Sequence, residues 1–281
     1  VDPNYNIVVT FTKQGYAKNY TATNLHSWET VSSNVSLLEA DGFEVVNATV
    51  SSNINIGDTK VRFSENSFLN SDGTPYTGEV TVQITHVDPS TSEIWGAPAD
   101  MTAIAYSPQG SQTQAKNTTA ISQLVSYGMV DVTLFDSAGE ELNISSETPA
   151  FLEIPITNGD LPETYHLNAG DTQVSWSFDP VLGIWIEEGV GSVIEEDGKT
   201  FFQFEADHFS WWNCDQGFVP SCATGRVIDV SGFPIRGAEV TCDGNQTTST
   251  AVTDDDGYYV CSVLVGDQVT FTGTTFVDQR N

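Results

Sequence analysis

The segment Glu79-Val80-Thr81-Val82-Gln83-Ile84-Thr85 decides the fold. In an extended chain Val80, Val82 and Ile84 fall on one side and Glu79, Thr81, Gln83 and Thr85 on the other, because successive strand side chains point to opposite faces. The same period of two runs through Ile7-Val8-Val9-Thr10-Phe11-Thr12, through Met129-Val130-Asp131-Val132-Thr133-Leu134-Phe135 and through Thr200-Phe201-Phe202-Gln203-Phe204-Glu205. Turn formers separate these runs: Ser71-Asp72-Gly73, Asp136-Ser137-Ala138-Gly139, Glu196-Asp197-Gly198 and Asp256-Gly257. One stretch departs from the pattern. Thr118 to Ser126 reads as a helical turn or two, with Thr118 or Thr119 capping Ile121, Leu124 and Val125. The expectation is an all-β chain built of several β-sandwiches.

The chain has 281 residues, 9 basic and 38 acidic, so its formal net charge is −29. This length suits two domains, or one domain with flanking modules. Hydrophobic residues at 39% and aromatics at 11% supply a core, so the acidity does not mean disorder. The charge excludes nucleic acid, whose phosphates need clustered Lys and Arg, and disfavours anionic lipid. No apolar run approaches the roughly 20 residues of a membrane helix, so direct membrane insertion is not expected. Val1-Asp2-Pro3 has neither the basic start nor the apolar core of a signal peptide. An acidic, well-solvated surface suits a secreted, extracellular or cell-surface protein.

Residues 214–281 form the most distinct module. Gly225-x-Val227-x-Asp229-x-x-Gly232-x-Pro234-x-x-Gly237-Ala238-x-Val240, followed by Thr253-Asp254-Asp255-Asp256-Gly257-Tyr258-Tyr259, resembles the carboxypeptidase regulatory-like (transthyretin-like) module. That resemblance implies a small, non-catalytic β-sandwich. The run from Ile7 to Tyr16 resembles the closing part of the same kind of module. Residues 1–40 are therefore either the end of such a bead or an N-terminal hairpin, and the chain is expected to start within one bead and stop within another. Residues 41–213 read as one larger β-domain. Val61 to Phe68, Gly73 to Val82, Ala150 to Pro155, Gly183 to Gly189 and His208-Phe209-Ser210-Trp211-Trp212-Asn213 resemble ZU5-like domains. The likeness is nearer to the related regions of bacterial surface proteins and of cartilage intermediate layer protein.

The four cysteines all follow residue 213, and four cysteines allow three pairings. Their spacings lack the C-x₂₋₄-C of zinc ribbons, so no metal and no cofactor is expected from them. The favoured pairs are Cys214 with Cys222 and Cys242 with Cys261, which imply an oxidising compartment. Asn-x-Ser/Thr occurs at Asn19, Asn34, Asn47, Asn117, Asn143 and Asn245, the glycosylation candidates.

Chemistry is sparse. The four histidines form no H-E-x-x-H, and no G-x-S-x-G, P-loop or dinucleotide fingerprint is present. Glu187-Glu188 and Glu195-Glu196 are neighbours on strands and so face opposite ways, which rules them out as glycosidase pairs. Trp176, Trp185, Trp211 and Trp212 are either a sugar-stacking platform or core. Residues 222–281 hold no lysine, so that module cannot form an internal isopeptide cross-link, whereas Lys13 and Lys18 leave one open in the N-terminal segment.

His208-Phe209-Ser210 is the one catalytic candidate. In some ZU5-like proteins such a triplet cleaves itself: the Ser210 hydroxyl would attack the Phe209 carbonyl, with His208 as base and a strained peptide bond lowering the barrier. The leading functional expectation is a non-enzymatic structural or adhesive protein that self-associates, or binds other surface proteins, head to tail into fibres. The alternatives are a glycan- or ligand-binding lipoprotein module and a self-cleaving domain at His208-Phe209-Ser210.

Overall fold

The computed structural model describes residues 7–23, 35–99, 101–106, 119–159, 161, 163–244 and 248–274. It is all-β, as the alternation predicts. An N-terminal hairpin pairs β1 (Ile7–Phe11) with β2 (Asn19–Thr23). One large sheet follows, made of β3 (Gly42–Asn47), β4 (Ser52–Ile56), β5 (Thr59–Phe63), β6 (Phe68–Leu69), β7 (Glu79–Val87), β8 (Thr102–Tyr106), β9 (Thr119–Phe135), β10 (Glu141–Ile144), β11 (Ala150–Pro155), β12 (Thr172–Asp179), β13 (Ile184–Glu196), β14 (Lys199–Ala206) and β15 (Trp211–Phe218). A small C-terminal sandwich stacks the pair β16 (Pro220–Arg226) and β19 (Tyr258–Leu264) on a sheet of β17 (Glu239–Gly244), β18 (Thr248–Val252) and β20 (Val269–Thr274).

The large sheet runs in the order β3-β7-β9-β15-β12-β13-β14-β11-β5-β4 and curls back on itself. Its two end strands, β3 and β4, are consecutive in the chain. Gly42 on β3 packs so closely on β4 that a Cβ there would stand 3.0 Å from Ile56 Cγ2. The curl encloses the main core. Val80, Val82 and Ile84 of β7 meet Val61, Phe63, Leu152, Phe202, Phe204 and Trp212.

The opposite face of the sheet is not left to water. The hairpin, the 3₁₀ turn Ser92–Gly96 and β8 lie over it. There Ala17, Val87, Met129, Trp176, Phe178, Trp185 and Trp211 form a second core, with Tyr20 and Leu38 packed against it. Trp211 and Trp212 are adjacent on β15, so they serve opposite faces, one in each core. Gln83 and Thr85, polar by pattern, are buried beneath the hairpin, and Gln83 Nε2 donates to the Tyr16 carbonyl at 3.1 Å. The described residues 7–23 form a hairpin packed on the large domain.

Three expectations are corrected. Thr119–Phe135 is strand, not helix, and it pairs with β7, β8, β10 and β15. An expected break at 213/214 falls inside β15, which stays in the large sheet to Phe218. The Cys214–Cys222 bridge is not formed. These cysteines lie on two strands separated only by Val219, and eight extended residues span up to about 26 Å, far beyond the roughly 7 Å limit for bridged Cα atoms. Cys214 is buried in the main core and Cys222 is exposed. Cys242 and Cys261 do bond, joining β17 to β19 across the small sandwich with Cα atoms 6.3 Å apart.

Two glycines answer to geometry. Gly128 lies where β9 and β15 slip register, and a Cβ on it would stand 2.5 Å from the Pro155 carbonyl oxygen. Gly257, the turn glycine of the small sandwich, adopts φ +79° and approaches the Val227 carbonyl, whose amide in turn donates to Gly257 at 2.8 Å.

Candidate functional site

The His208-Phe209-Ser210 triplet occupies the bend between β14 and β15. Each residue has a definite partner. Phe209 packs edge-on against Phe63, with centroids 5.9 Å apart. The Ser210 hydroxyl donates to the carbonyl of its own successor, Trp211, at 3.1 Å. The His208 ring lies against Trp212 at 5.0 Å, and Trp212 Nε1 donates to the His208 carbonyl at 3.1 Å. His208 Nε2 meets Glu188 Oε2 at 2.7 Å, with Asp207 Oδ1 4.0 Å away. None of the positive-φ non-glycine residues among those described falls in the triplet. The bend therefore holds its imidazole toward carboxylates, and Ser210 toward a backbone acceptor.

The electrostatics follow from that pairing. Burial works against a charged His208, but the Glu188 carboxylate, helped by Asp207 and Asp179, outweighs it and raises the imidazole pKa above the usual value. The hydrogen bond to His208 lowers Glu188 in return, against its partial burial and with help from Ser177.

A second concavity opens between the hairpin and the outer face of the large sheet, with a volume of about 830 Å³. Lys13, Tyr16, Lys18, Phe43, Gln83 and Phe135 are among its walls. Lys18 pairs with Glu141, and the Lys13 ammonium lies 3.6 Å over the Tyr16 ring. Both lysines are thus held by non-covalent partners. Beneath the hairpin, Asp131 is fully buried and accepts from the Thr133 hydroxyl at 2.9 Å. Burial raises its pKa to about 6, against the opposing pull of Thr133 and Lys18.

A buried polar knot closes the other end of the second core. At the slip between β9 and β15, the Asp215 carbonyl accepts from Gln173 Nε2 at 2.5 Å and from Trp176 Nε1 at 3.2 Å. Asn213 Nδ2 donates to the Asp215 carboxyl, and the Ser126 hydroxyl donates to Asn213 Oδ1 at 2.7 Å. Burial pushes the Asp215 carboxyl and the Cys214 thiol well above their usual ranges, which makes Cys214 an inert thiol. Nothing in the alternation pattern marks this knot, because Asn213 and Asp215 read from sequence as ordinary polar positions on a strand.

The remaining sequence candidates separate cleanly. Trp176, Trp185, Trp211 and Trp212 are all buried, so they are core and not a sugar platform. Glu196 pairs with Lys60, away from Glu188. Asn19 is buried, its side-chain amide donating to the carbonyls of Ser36 at 2.8 Å and Gly96 at 2.9 Å, which removes it as a glycan acceptor in the folded chain. Asn47 and Asn143 are exposed. Asn34, Asn117 and Asn245 lie outside the described residues, as does His26.

A family model described as FAM171A1/A2/B, N-terminal, matches residues 59–215. Those bounds run from the first residue of β5 to the middle of β15. They take in most of the large sheet and the His208 bend, and leave out the hairpin and the small sandwich. No solved structure matches the chain.

Proposed function

The chain belongs to the FAM171A1/A2/B N-terminal family, with 157 of its 281 residues matched, and from that premise we propose a non-catalytic, adhesive module of the cell surface. The family is of surface type, and the Cys242–Cys261 disulfide points the same way, toward an oxidising exterior. The ZU5-like reading of the large domain and the regulatory-like reading of the small sandwich belong to this proposal. They are supported by the His208–Asn213 string, which runs from the bend into the buried start of β15, and by the turn glycine at 257.

The observation that carries the adhesive reading is a pair of open strand edges. Among the described residues β1 pairs only with β2, and β20 only with β17. Ile7, Val9 and Phe271 are exposed on them. Unpaired edges recruit further strands, and a heterologous contact between two different edges builds open chains instead of closed rings. Light scattering after size exclusion, at low and high salt, together with electron microscopy, tests this. Salt-promoted multimers support it, since screening removes the mutual repulsion of chains carrying −29. A 30.4 kDa monomer under every condition defeats it.

The groove favours a second reading, capture of a glycan or another extracellular ligand beside Tyr16, Phe43 and Lys13. Aromatic faces, sheet-borne polar groups and an ammonium are the recognition elements of such sites. Loss of ligand retention on Phe43→Ala, with the tryptophan emission of the folded chain intact, distinguishes it from strand-edge adhesion.

A further inference from the structure

The register of β13 with β14 pairs Ser192 with Gln203 and Glu196 with Lys199. The antiparallel course of the two strands carries the N-terminal part of β13 toward the bend that follows β14. Glu188 of β13 and Asp207 and His208 of the bend meet there, and one donor atom of each lies within 4.8 Å of the others. The imidazole is what separates this cluster from the many carboxylates on the surface. Its ring is fixed against Trp212, and Nε2 is aimed between Glu188 Oε2 at 2.7 Å and Asp207 Oδ1 at 4.0 Å. Glu188 is itself held by the Ser177 hydroxyl, a supporting contact of the kind that orients metal ligands.

The geometry points to a binding site for a divalent transition-metal ion of the zinc class, formed by His208, Glu188 and Asp207, with water completing the shell. Ligand atoms at 2.0–2.2 Å around a tetrahedral zinc ion stand about 3.3 Å apart. The 2.7 Å pair must open, and the 4.0 Å pair must close, by about 0.7 Å each. Half-exposed side chains make such a change by small rotations about their χ angles. An imidazole donor suits zinc, whereas carboxylates and water alone suit calcium and magnesium. The metal takes the imidazole lone pair, so the proton on Nε2 must leave first. Glu188 and Asp207 flank that nitrogen in the empty site, and release of its proton on metal binding makes uptake weaker in acid. Occupancy has two consequences. It clips β13 to the β14–β15 bend, and it withdraws from His208 the lone pair that a proton transfer from Ser210 requires.

Isothermal titration of the full chain with zinc chloride, in a non-chelating buffer, tests the site. One zinc per chain is expected, at least tenfold weaker in His208→Ala and in Asp207→Asn, and weaker at pH 6 than at pH 8. His166→Ala and Cys222→Ser serve as controls and leave binding unchanged. Cobalt(II) in place of zinc reports ligand geometry through its visible absorption, and unchanged tryptophan emission confirms that the variants are folded. Three results overturn the site: no zinc uptake, uptake indifferent to His208→Ala, or calcium bound as tightly as zinc through the same residues.

Discussion

The large domain and the small sandwich hold themselves together by different means. The large domain has two apolar cores on the two faces of one curled sheet, and no disulfide among its described residues. The small sandwich has a buried cluster of Val240, Cys242 and Cys261, with partly buried neighbours around it, and a covalent bond at the centre. Size explains the difference. A domain of roughly 60 residues buries a smaller share of its surface and needs a staple, whereas a larger one closes on packing alone. No tryptophan follows residue 212, and the buried Trp176, Trp185, Trp211 and Trp212 belong to the large domain, so a change in their emission reports that domain and not the sandwich.

Trp212→Ala is the strongest way to break the comparison. It empties the main core at a fully buried position and is expected to cost about 3–5 kcal/mol, read as an earlier denaturant midpoint of the tryptophan emission. The sandwich should be unaffected; joint collapse of both parts would mean that they form one cooperative unit.

The converse experiment replaces Cys242 and Cys261 with serine, or adds reductant. Closing a loop across 19 residues contributes about 3 kcal/mol, so the sandwich should lose hydrogen-exchange protection over residues 220–274. The tryptophan transition should stay where it was. If it moves equally, the staple supports more than its own module.

Asp131→Asn sharpens the picture of the second core. The Asp131 pKa is raised to about 6, against an ordinary value near 3.9, so its ionised form is penalised in the folded state. That penalty is complete above pH 6 and disappears as pH falls from about 6 to about 4. The substitution should therefore stabilise the large domain by about 3 kcal/mol at pH 7.5 and confer nothing at pH 4. Matching midpoints for the two proteins at both pH values would show that hairpin burial exerts no such effect.

Lys18→Gln should have the smallest effect. Its ion pair with Glu141 is partly exposed, and pairs of that kind contribute about 0.2–1 kcal/mol. A loss above 2 kcal/mol would mean that the hairpin hangs on this pair and not on Ala17, Tyr20 and the bond from Trp211 Nε1 to the Lys18 carbonyl at 2.7 Å.

The all-β class was legible because β7 alternates without error on its core-facing side. The second core was not, because its cover comes from the hairpin and the face it covers carries Gln83, Thr85, Asp131 and Thr133, which read as solvent-facing. Tertiary burial overrode polarity there. Thr118 to Ser126 misled for a related reason. Apolar spacing of three and four suits a helix locally, but ladder bonds from β8 and β15 on either side of β9 hold it extended. Of the cysteines, the pair 19 residues apart bonded and the pair eight apart did not, since proximity in sequence along extended chain is distance in space. The His208 bend could be found by its triplet, but its carboxylate partner Glu188 could not. That neighbour sits on another strand, β13, which the local sequence does not reveal.

The junction at Val219 has a mechanical consequence. β15 is an inner strand, flanked by β9 and β12, and β16 resumes one residue after it ends. Tension applied through the small sandwich along the strand direction reaches β15 end-on. Its ladder bonds to both neighbours then carry the load together in shear, instead of parting one after another as in a peeled edge strand. The disulfide keeps residues 242–261 from adding length when the sandwich is stretched. A chain joined in this way bears force through the strand that also anchors both of its cores.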